Sequence, residues 1–326
     1  MSQIRDANGA PPRVFVVLLN WNGWQDTLRC VQSLHGLTYP DYAIVIVDNG
    51  SVGDDVQILR REVGDSCHII QNPENQGFSA GNNVGMRYAL HEGADYVFVL
   101  NNDTTVDAEC LTRMVKIGEE DDSIGILAPK VLLHEERERV VYPRFTDQWS
   151  SMLQFHIAHT GLAKRWVVPP SEGTCDVRFV DGCAMFIKRQ VLQQVGLFEP
   201  IHFFGGYESF DFSIRVLSRG WRMVAVLDAA VWAKAGGSSF GDRRRGGLSW
   251  AYWGPRDRVL FARRKLSTLH YVVFLLTLPL YLLAWTVAFG RQAKSVRVFP
   301  AILRGLRDGF NVELPVSGDE PVELEG

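Results

Sequence analysis

The chain has 326 residues, with 34 Lys+Arg against 37 Asp+Glu, so its formal net charge is −3. Hydrophobic residues make up 46% and charged residues 22%, a globular mixture that excludes disordered and fibrous classes. The near-neutral balance argues against a dedicated nucleic-acid binder, which is usually basic, and no nucleic-acid partner is expected. The length sets a soft expectation of about two domains. Cys30, Cys67, Cys110, Cys175 and Cys183 form no CxxC pair, and an odd number leaves one over. They read neither as a disulfide scaffold nor as a zinc site, and they suit a reducing compartment. Residues 1–12 are polar without an apolar run, so a cleavable signal peptide is not expected and the chain is expected to start in the cytosol.

Apolar runs at 14–19, 42–47, 68–71, 96–100 and 124–128 predict buried strands bounded by turn residues. Amphipathic stretches at 26–34, 54–63, 80–92 and 107–120 predict helices between them. Strand–helix alternation at this spacing implies an α/β fold with a Rossmann-like, mostly parallel, doubly wound sheet. Ligands of such sheets bind beyond the carboxyl ends of the strands. Here the first strand ends in Asn20-Trp21-Asn22-Gly23, the second in Asp48-Asn49-Gly50-Ser51 and the fourth in Asn101-Asn102-Asp103. Each taken alone is ordinary turn chemistry. Three convergent ends, two with a carboxylate, point to a site. No GxGxxG follows the first strand and no GxxxxGK[ST] occurs there, which removes support for dinucleotide and P-loop readings. Gly77-Phe78-Ser79-Ala80-Gly81-Asn82-Asn83 opens a helix whose backbone can approach a ligand closely.

Near the C-terminus, residues 271–289 run for 19 positions without a charge. As a helix that run covers about 28 Å, close to the hydrocarbon thickness of a bilayer. Arg263, Arg264 and Lys265 precede it and Arg291, Lys294 and Arg297 follow it, so the flanking charge sets no orientation. Pro279 lies in its middle and can kink it toward a re-entrant or in-plane arrangement. The bland alternative is a buried core helix. Membrane attachment is the expectation, with spanning and monotopic forms both open.

Taken in order, several segments resemble the inverting glycosyltransferases of family 2, which have the GT-A fold. They are VVLLNWNGWQDTLRCVQSL at 16–34, IVIVDNGSVGDD at 44–55, NPENQGFSAGNNVGMRYAL at 72–90 and VFVLNNDTTVD at 97–107. VDGCAMFIKRQVLQQVGLFEP at 180–200 and FFGGYESFDFSIRVLSRGWR at 203–222 complete the set. The resemblance spans roughly 13–265 and is nearest to the rhamnosyltransferase-like group that builds surface polysaccharides. No QxxRW signature is present, which favours addition of a single sugar. The implied organisation is a tail at 1–12, a GT-A domain at 13–265, a membrane-associated helical region at 266–310 and an acidic tail at 311–326.

The resemblance also implies roles. Asp103, the last carboxylate of a reduced DxD-like element, would hold Mn2+ or Mg2+ and the donor diphosphate. Asp48 would read the nucleobase, while Asn20 and Asn82 would line the nucleoside pocket, with local turn satisfaction as the alternative for both. The family base sits in a Glu-Asp-x-Asp motif, which here reads Glu208-Ser209-Phe210-Asp211, so serine replaces the second acid. Glu208 is favoured over Asp211 as the base. The alternatives are an Asp211–Arg215 ion pair and a helix-capping Glu208. Ala233 stands where the family often has a metal-binding His, and Lys234 would neutralise the diphosphate unless it is a solvated loop lysine. His156 and His159 resemble half a metal site and are assigned no role. Arg243-Arg244-Arg245 falls where the family has a loop over the donor. Arg256-Asp257-Arg258 resembles the family's Arg-Asn-Arg element.

The expected activity is transfer of one sugar, rhamnose being the favoured example, from a UDP- or dTDP-linked donor to a lipid-linked or glycan acceptor. The expected place is the cell membrane, with the catalytic domain on the cytoplasmic side. The alternatives are a degenerate chain that only binds nucleotide sugars or a partner, and a nucleotidyltransferase. The latter lacks its Gly-rich, basic loop at 20–24.

Overall fold

The uncharged strands at 14–20 and 96–101 need cover on both faces, and the tertiary structure supplies it. The computed structural model describes residues 10–135, 140–142, 172–201, 207–234, 247–293 and 298–313. In chain order its strands are β1 (Val14–Asn20), β2 (Tyr42–Asn49), β3 (His68–Asn72), β4 (Tyr96–Asn101), β5 (Thr104–Val106) and β6 (Ile124–Leu133). They continue with β7 (Val140–Tyr142), β8 (Thr174–Val177), β9 (Ala184–Lys188) and β10 (Arg222–Ala233). The helices are α1 (Trp24–Leu34), α2 (Asp55–Val63), α3 (Gly77–His91), α4 (Cys110–Glu120) and α5 (Arg189–Val195). After them come α6 (Tyr207–Ser218), α7 (Gly247–Lys265), α8 (Thr268–Ala293) and α9 (Val298–Asn311).

The sheet order is β3-β2-β1-β4-β9-β6-β10-β5, with β7 beside β6 and β8 beside β10. β3, β2, β1 and β4 are mutually parallel. β9 runs antiparallel between β4 and β6, which leaves β6 and β10 pointing the same way as the first four. The sheet is therefore mostly parallel, as the alternation predicts. β6 runs to Leu133, beyond the predicted end at 128, and carries Pro129. Proline has no ladder donor, and the partner on β10 jumps there from Val226 to Ala230.

α3 lies directly on β1 and β2. A Cβ at Gly85 would sit 2.4 Å from Val17 Cγ1, and one at Gly81 would sit 2.6 Å from Leu19 Cδ1. The two glycines let the start of α3 reach the carboxyl ends of these strands. A second apolar cluster joins α7, α8 and α9 through Ala251, Val259, Ala262, Phe274, Ile302 and Leu306.

Candidate active site

The carboxyl ends of β1, β2 and β4 lie in register. Asn20 stands beside Asp48, Leu19 beside Asn101, and Asp48 beside Gln71. Asn20 Nδ2 donates to Asp48 Oδ1 at 2.7 Å, to Ser51 Oγ at 3.2 Å and to Asp55 Oδ1 at 3.3 Å. Thr27 Oγ1 donates to Asn20 Oδ1 at 2.8 Å and accepts from Asn102 Nδ2 at 2.9 Å. A continuous hydrogen-bonded chain thus runs from Asp48 on β2, through β1 and α1, to the turn after β4. Asp48 is fully buried and also accepts from the Ser51 hydroxyl and backbone N–H. This fixes its carboxylate facing the strand ends. The turn after β2 needs Gly50 at φ +71°, because a Cβ there would lie 2.4 Å from the Glu74 backbone.

Asp103 occupies the turn between β4 and β5 and is half-buried. Its backbone carbonyl accepts from the Lys234 N–H at 3.2 Å, which brings the end of β10 to it. The Lys234 ammonium is ion-paired with Asp26 on α1 at 3.1 Å and is half-exposed. Ala233 pairs with Thr104 in the sheet. Burial pushes the Cys30 thiol up to about 12, and the nearby Asp103 charge adds to this, so Cys30 is no nucleophile at neutral pH.

The turn between β8 and β9 is drawn against the same edge. The Asn101 N–H donates to the Cys183 carbonyl at 2.8 Å. On the far side of that turn, Gly182 N–H donates to Ser209 Oγ at 3.0 Å, and a Cβ on Gly182 would sit 2.8 Å from that oxygen. The start of α6 is therefore clamped to the turn through a glycine. Glu208 on α6 is 5% exposed, and its Oε2 has no hydrogen-bond partner among the described residues. Burial pushes its carboxyl up to about 8, with the Asp257 and Asp181 charges adding to the shift. Asp211 is also buried, which by itself would raise its carboxyl. Arg215 at 2.7 Å and Lys265 at 2.9 Å outweigh that and hold it below the ordinary value.

Asn20, Asp48 and Asp103 thus meet at one edge, with Lys234 beside them and Glu208 across the 181–183 turn. Asn82 lies one turn inside α3, and its amide donates within that helix to the Phe78 carbonyl at 2.9 Å. Asp211 is drawn into the Arg215–Lys265 pair instead of facing the turn. Sequence reasoning missed Thr27, which bridges Asn20 and Asn102, and Asp181, whose carboxylate accepts from the Cys183 N–H at 2.9 Å. An acid directly before a glycine ahead of a buried strand was the available signal for Asp181. His156, His159 and Arg243 to Arg245 lie outside the described residues.

These strand ends gather carboxylates and amides at the carboxyl edge of a mostly parallel sheet. The Glycosyl transferase family 2 profile matches residues 15–196, more than half of the chain. The protein belongs to that family. It is 26% identical over 203 residues to a low-salt glycan biosynthesis hexosyltransferase of Haloferax volcanii, covering 61% of this chain and 60% of that one. It is 24% identical over 197 residues to an uncharacterized glycosyltransferase of Nostoc sp., covering 58% and 55%. The chain thus spans between half and two thirds of the curated relatives it matches. Among solved structures, it is similar to a mannosyltransferase of Pyrobaculum calidifontis in complex with GDP-Man and Mn2+. That match has a TM-score of 0.54 and 16% identity, covering 91% of this chain and 80% of the other. GalNAc-T7 with UDP, GalNAc and Mn2+ aligns with a TM-score of 0.55 and 15% identity, covering 78% and 52%. At these identities the structural likeness carries the fold alone.

Proposed function

We propose that the protein moves a single hexose, with inversion, from a nucleotide-sugar donor to a hydroxyl of a lipid-linked or glycan acceptor at the cytoplasmic face of a membrane. The observation that carries this reading is the hydrogen-bonded chain from Asp48 through Asn20 and Thr27 to Asn102, next to Asp103. In this reading Asp48 accepts an imide N–H of a uracil- or thymine-type base, consistent with a UDP- or dTDP-linked donor. Rhamnose is the sugar favoured by the motif resemblance.

The residues present fit a divalent cation in one manner. Asp103 supplies a hard carboxylate oxygen, and among the described residues no group of three His, Cys, Asp or Glu surrounds it. A cation such as Mn2+ or Mg2+ there would fill its remaining positions with donor phosphate and water, as small hard cations do. When bound, it would neutralise charge building on the leaving diphosphate. Lys234, paired with Asp26, would place a second cation along the diphosphate if that pair opened.

Glu208 is the proposed base, because Asp211 is consumed by Arg215 and Lys265. The acceptor hydroxyl passes its proton to the ionised Glu208 carboxylate as its oxygen bonds to the anomeric carbon. The bond from that carbon to the diphosphate oxygen breaks, and its electron pair leaves with the nucleotide. A second reading, a chain that binds nucleotide sugars without turnover, is favoured by one observation: Ser209 stands where the family motif places an acid.

Calorimetric titration of UDP- and dTDP-sugars with and without Mn2+, followed by product analysis with glycan and lipid-linked acceptors, tests the proposal. Metal-dependent binding that Asp103→Asn abolishes, with product formed, is the expected result. Unchanged metal-dependent affinity in Asp103→Asn removes that residue from the role. Binding without product from wild type and from Ser209→Asp establishes the second reading.

A further inference from the structure

α8 has the length and apolarity of a membrane span, yet its surroundings oppose spanning. The helix that follows it, α9, returns to α7 and packs backbone against backbone. A Cβ at Gly305 would lie 2.1 Å from the Tyr252 carbonyl oxygen, and one at Gly309 would lie 2.7 Å from that of Arg256. Tyr252 Oη donates to Asp308 at 2.9 Å, and Arg263 Nη1 donates to the carbonyls of Gly309 and Val312 at 2.8 and 2.9 Å. Both ends of α8 are therefore held on the catalytic side.

The middle of α8 is held there too. Tyr281 is buried, and the Arg258 guanidinium of α7 lies 3.9 Å over its ring. Arg258 also faces Tyr207, the neighbour of Glu208. If α8 crossed a bilayer, Arg258 and the fully buried Asp257 would sit near the midplane, where charged side chains are costly.

The opposite face of α8 is apolar and open. Leu269, Leu276, Leu280 and Leu283 recur at helical spacing and are 64 to 74% exposed. α9 also exposes Phe299, Leu303 and Phe310, and it carries Arg304 and Arg307, whose side chains are 72% and 68% exposed and share the single carboxylate of Asp308, which leaves a net positive charge on this helix surface. An apolar strip with cations at its margin matches an anionic bilayer surface. A soluble partner of opposite charge would account for the arginines but not for two helices of exposed leucine and phenylalanine.

We propose that α8 and α9 lie in the plane of an anionic membrane as a monotopic platform, with their shared apolar strip in one leaflet and Arg304 and Arg307 at the headgroups. The inference rests on the membrane association proposed above and specifies its geometry. It sets the Glu208 side of the active site one helix away from the lipid surface, where the head of a lipid-linked acceptor would project.

The test uses the full chain. Flotation with phosphatidylcholine vesicles, with and without phosphatidylglycerol, should show binding that depends on the anionic lipid. Leu276→Glu/Leu280→Glu/Leu283→Glu should abolish it, and Arg304→Glu/Arg307→Glu should weaken it by about tenfold or more. Donor-induced thermal shifts should be unchanged in both variants, which shows that they fold. Protease accessibility of tags at the two chain ends, in sealed membranes, should place both on one side. Tags on opposite sides would establish a spanning helix and overturn the proposal while leaving membrane association intact. No vesicle binding, or a soluble dimer that the triple variant makes monomeric, overturns both.

Discussion

Glu208 and Asp211 stand one helical turn apart on α6 and meet opposite electrostatic surroundings. Burial, with the Asp257 and Asp181 charges adding to it, pushes the Glu208 carboxyl up to about 8, whereas Arg215 and Lys265 hold Asp211 below its ordinary value. Two acids with divided environments are suited to different work. If Glu208 is the base, Glu208→Gln should lower turnover by about 10²–10⁴ with donor affinity retained. Wild-type turnover should rise with pH through about 8, a limb the variant loses. Stability should show the reverse. The folded carboxyl keeps its proton between the ordinary 4.5 and about 8, so folding binds a proton in that window and wild-type stability falls as pH rises across it. Melting curves of Glu208→Gln should lack that decline. Asp211→Asn should instead destabilise at neutral pH by about 3–5 kcal/mol with modest kinetic loss, because it strands two cations. An equal turnover loss in Asp181→Asn, with Glu208→Gln active, would move the base to the 181–183 turn.

At the scale of elements, the strand ends work because α3 is seated so low on them. Its contact side is glycine at 81 and 85, and β-branched Val17 beneath Gly85 has little rotamer freedom to yield. Gly85→Ala should therefore cost stability through overpacking, about 1–3 kcal/mol, despite alanine's better helix propensity. Chemical denaturation would measure it, and a stabilised variant would show that α3 can lift without cost. β1, β2 and β4 were legible as apolar runs because they lie inside the sheet and are largely buried, while β3, an edge strand, showed only through the short pair Ile69-Ile70 between polar ends. β5, β8 and β9 were not, since three to five residues carry no periodicity of their own and owe their state to neighbouring strands.

For the whole molecule, the C-terminal helices wall the domain as well as carrying the proposed membrane surface. Ala251, Val259 and Ala262 of α7 are buried only because α8 and α9 cover them. A chain ending at Ser267 should leave the membrane fraction, yet melt at a lower temperature than the full chain carrying Leu276→Glu/Leu280→Glu/Leu283→Glu. Equal melting temperatures would show that α7 needs no cover.

Sequence alone determined the alternation of strands and helices, the carboxylates and amides at three strand ends, and an uncharged run long enough for a bilayer. Those features are local: apolar periodicity, turn chemistry and charge can be counted along the chain. Only the tertiary structure decided that Thr27 ties Asn20 to Asn102, that Asp211 is spent on Arg215 and Lys265 while Glu208 is stranded beside Asp181 and Asp257, and that α8 is pinned at its midpoint by Arg258. Each of these joins residues distant in sequence or sets a desolvation that no single segment contains. Burial and charge pairing follow from which surfaces meet, and the fold makes that choice.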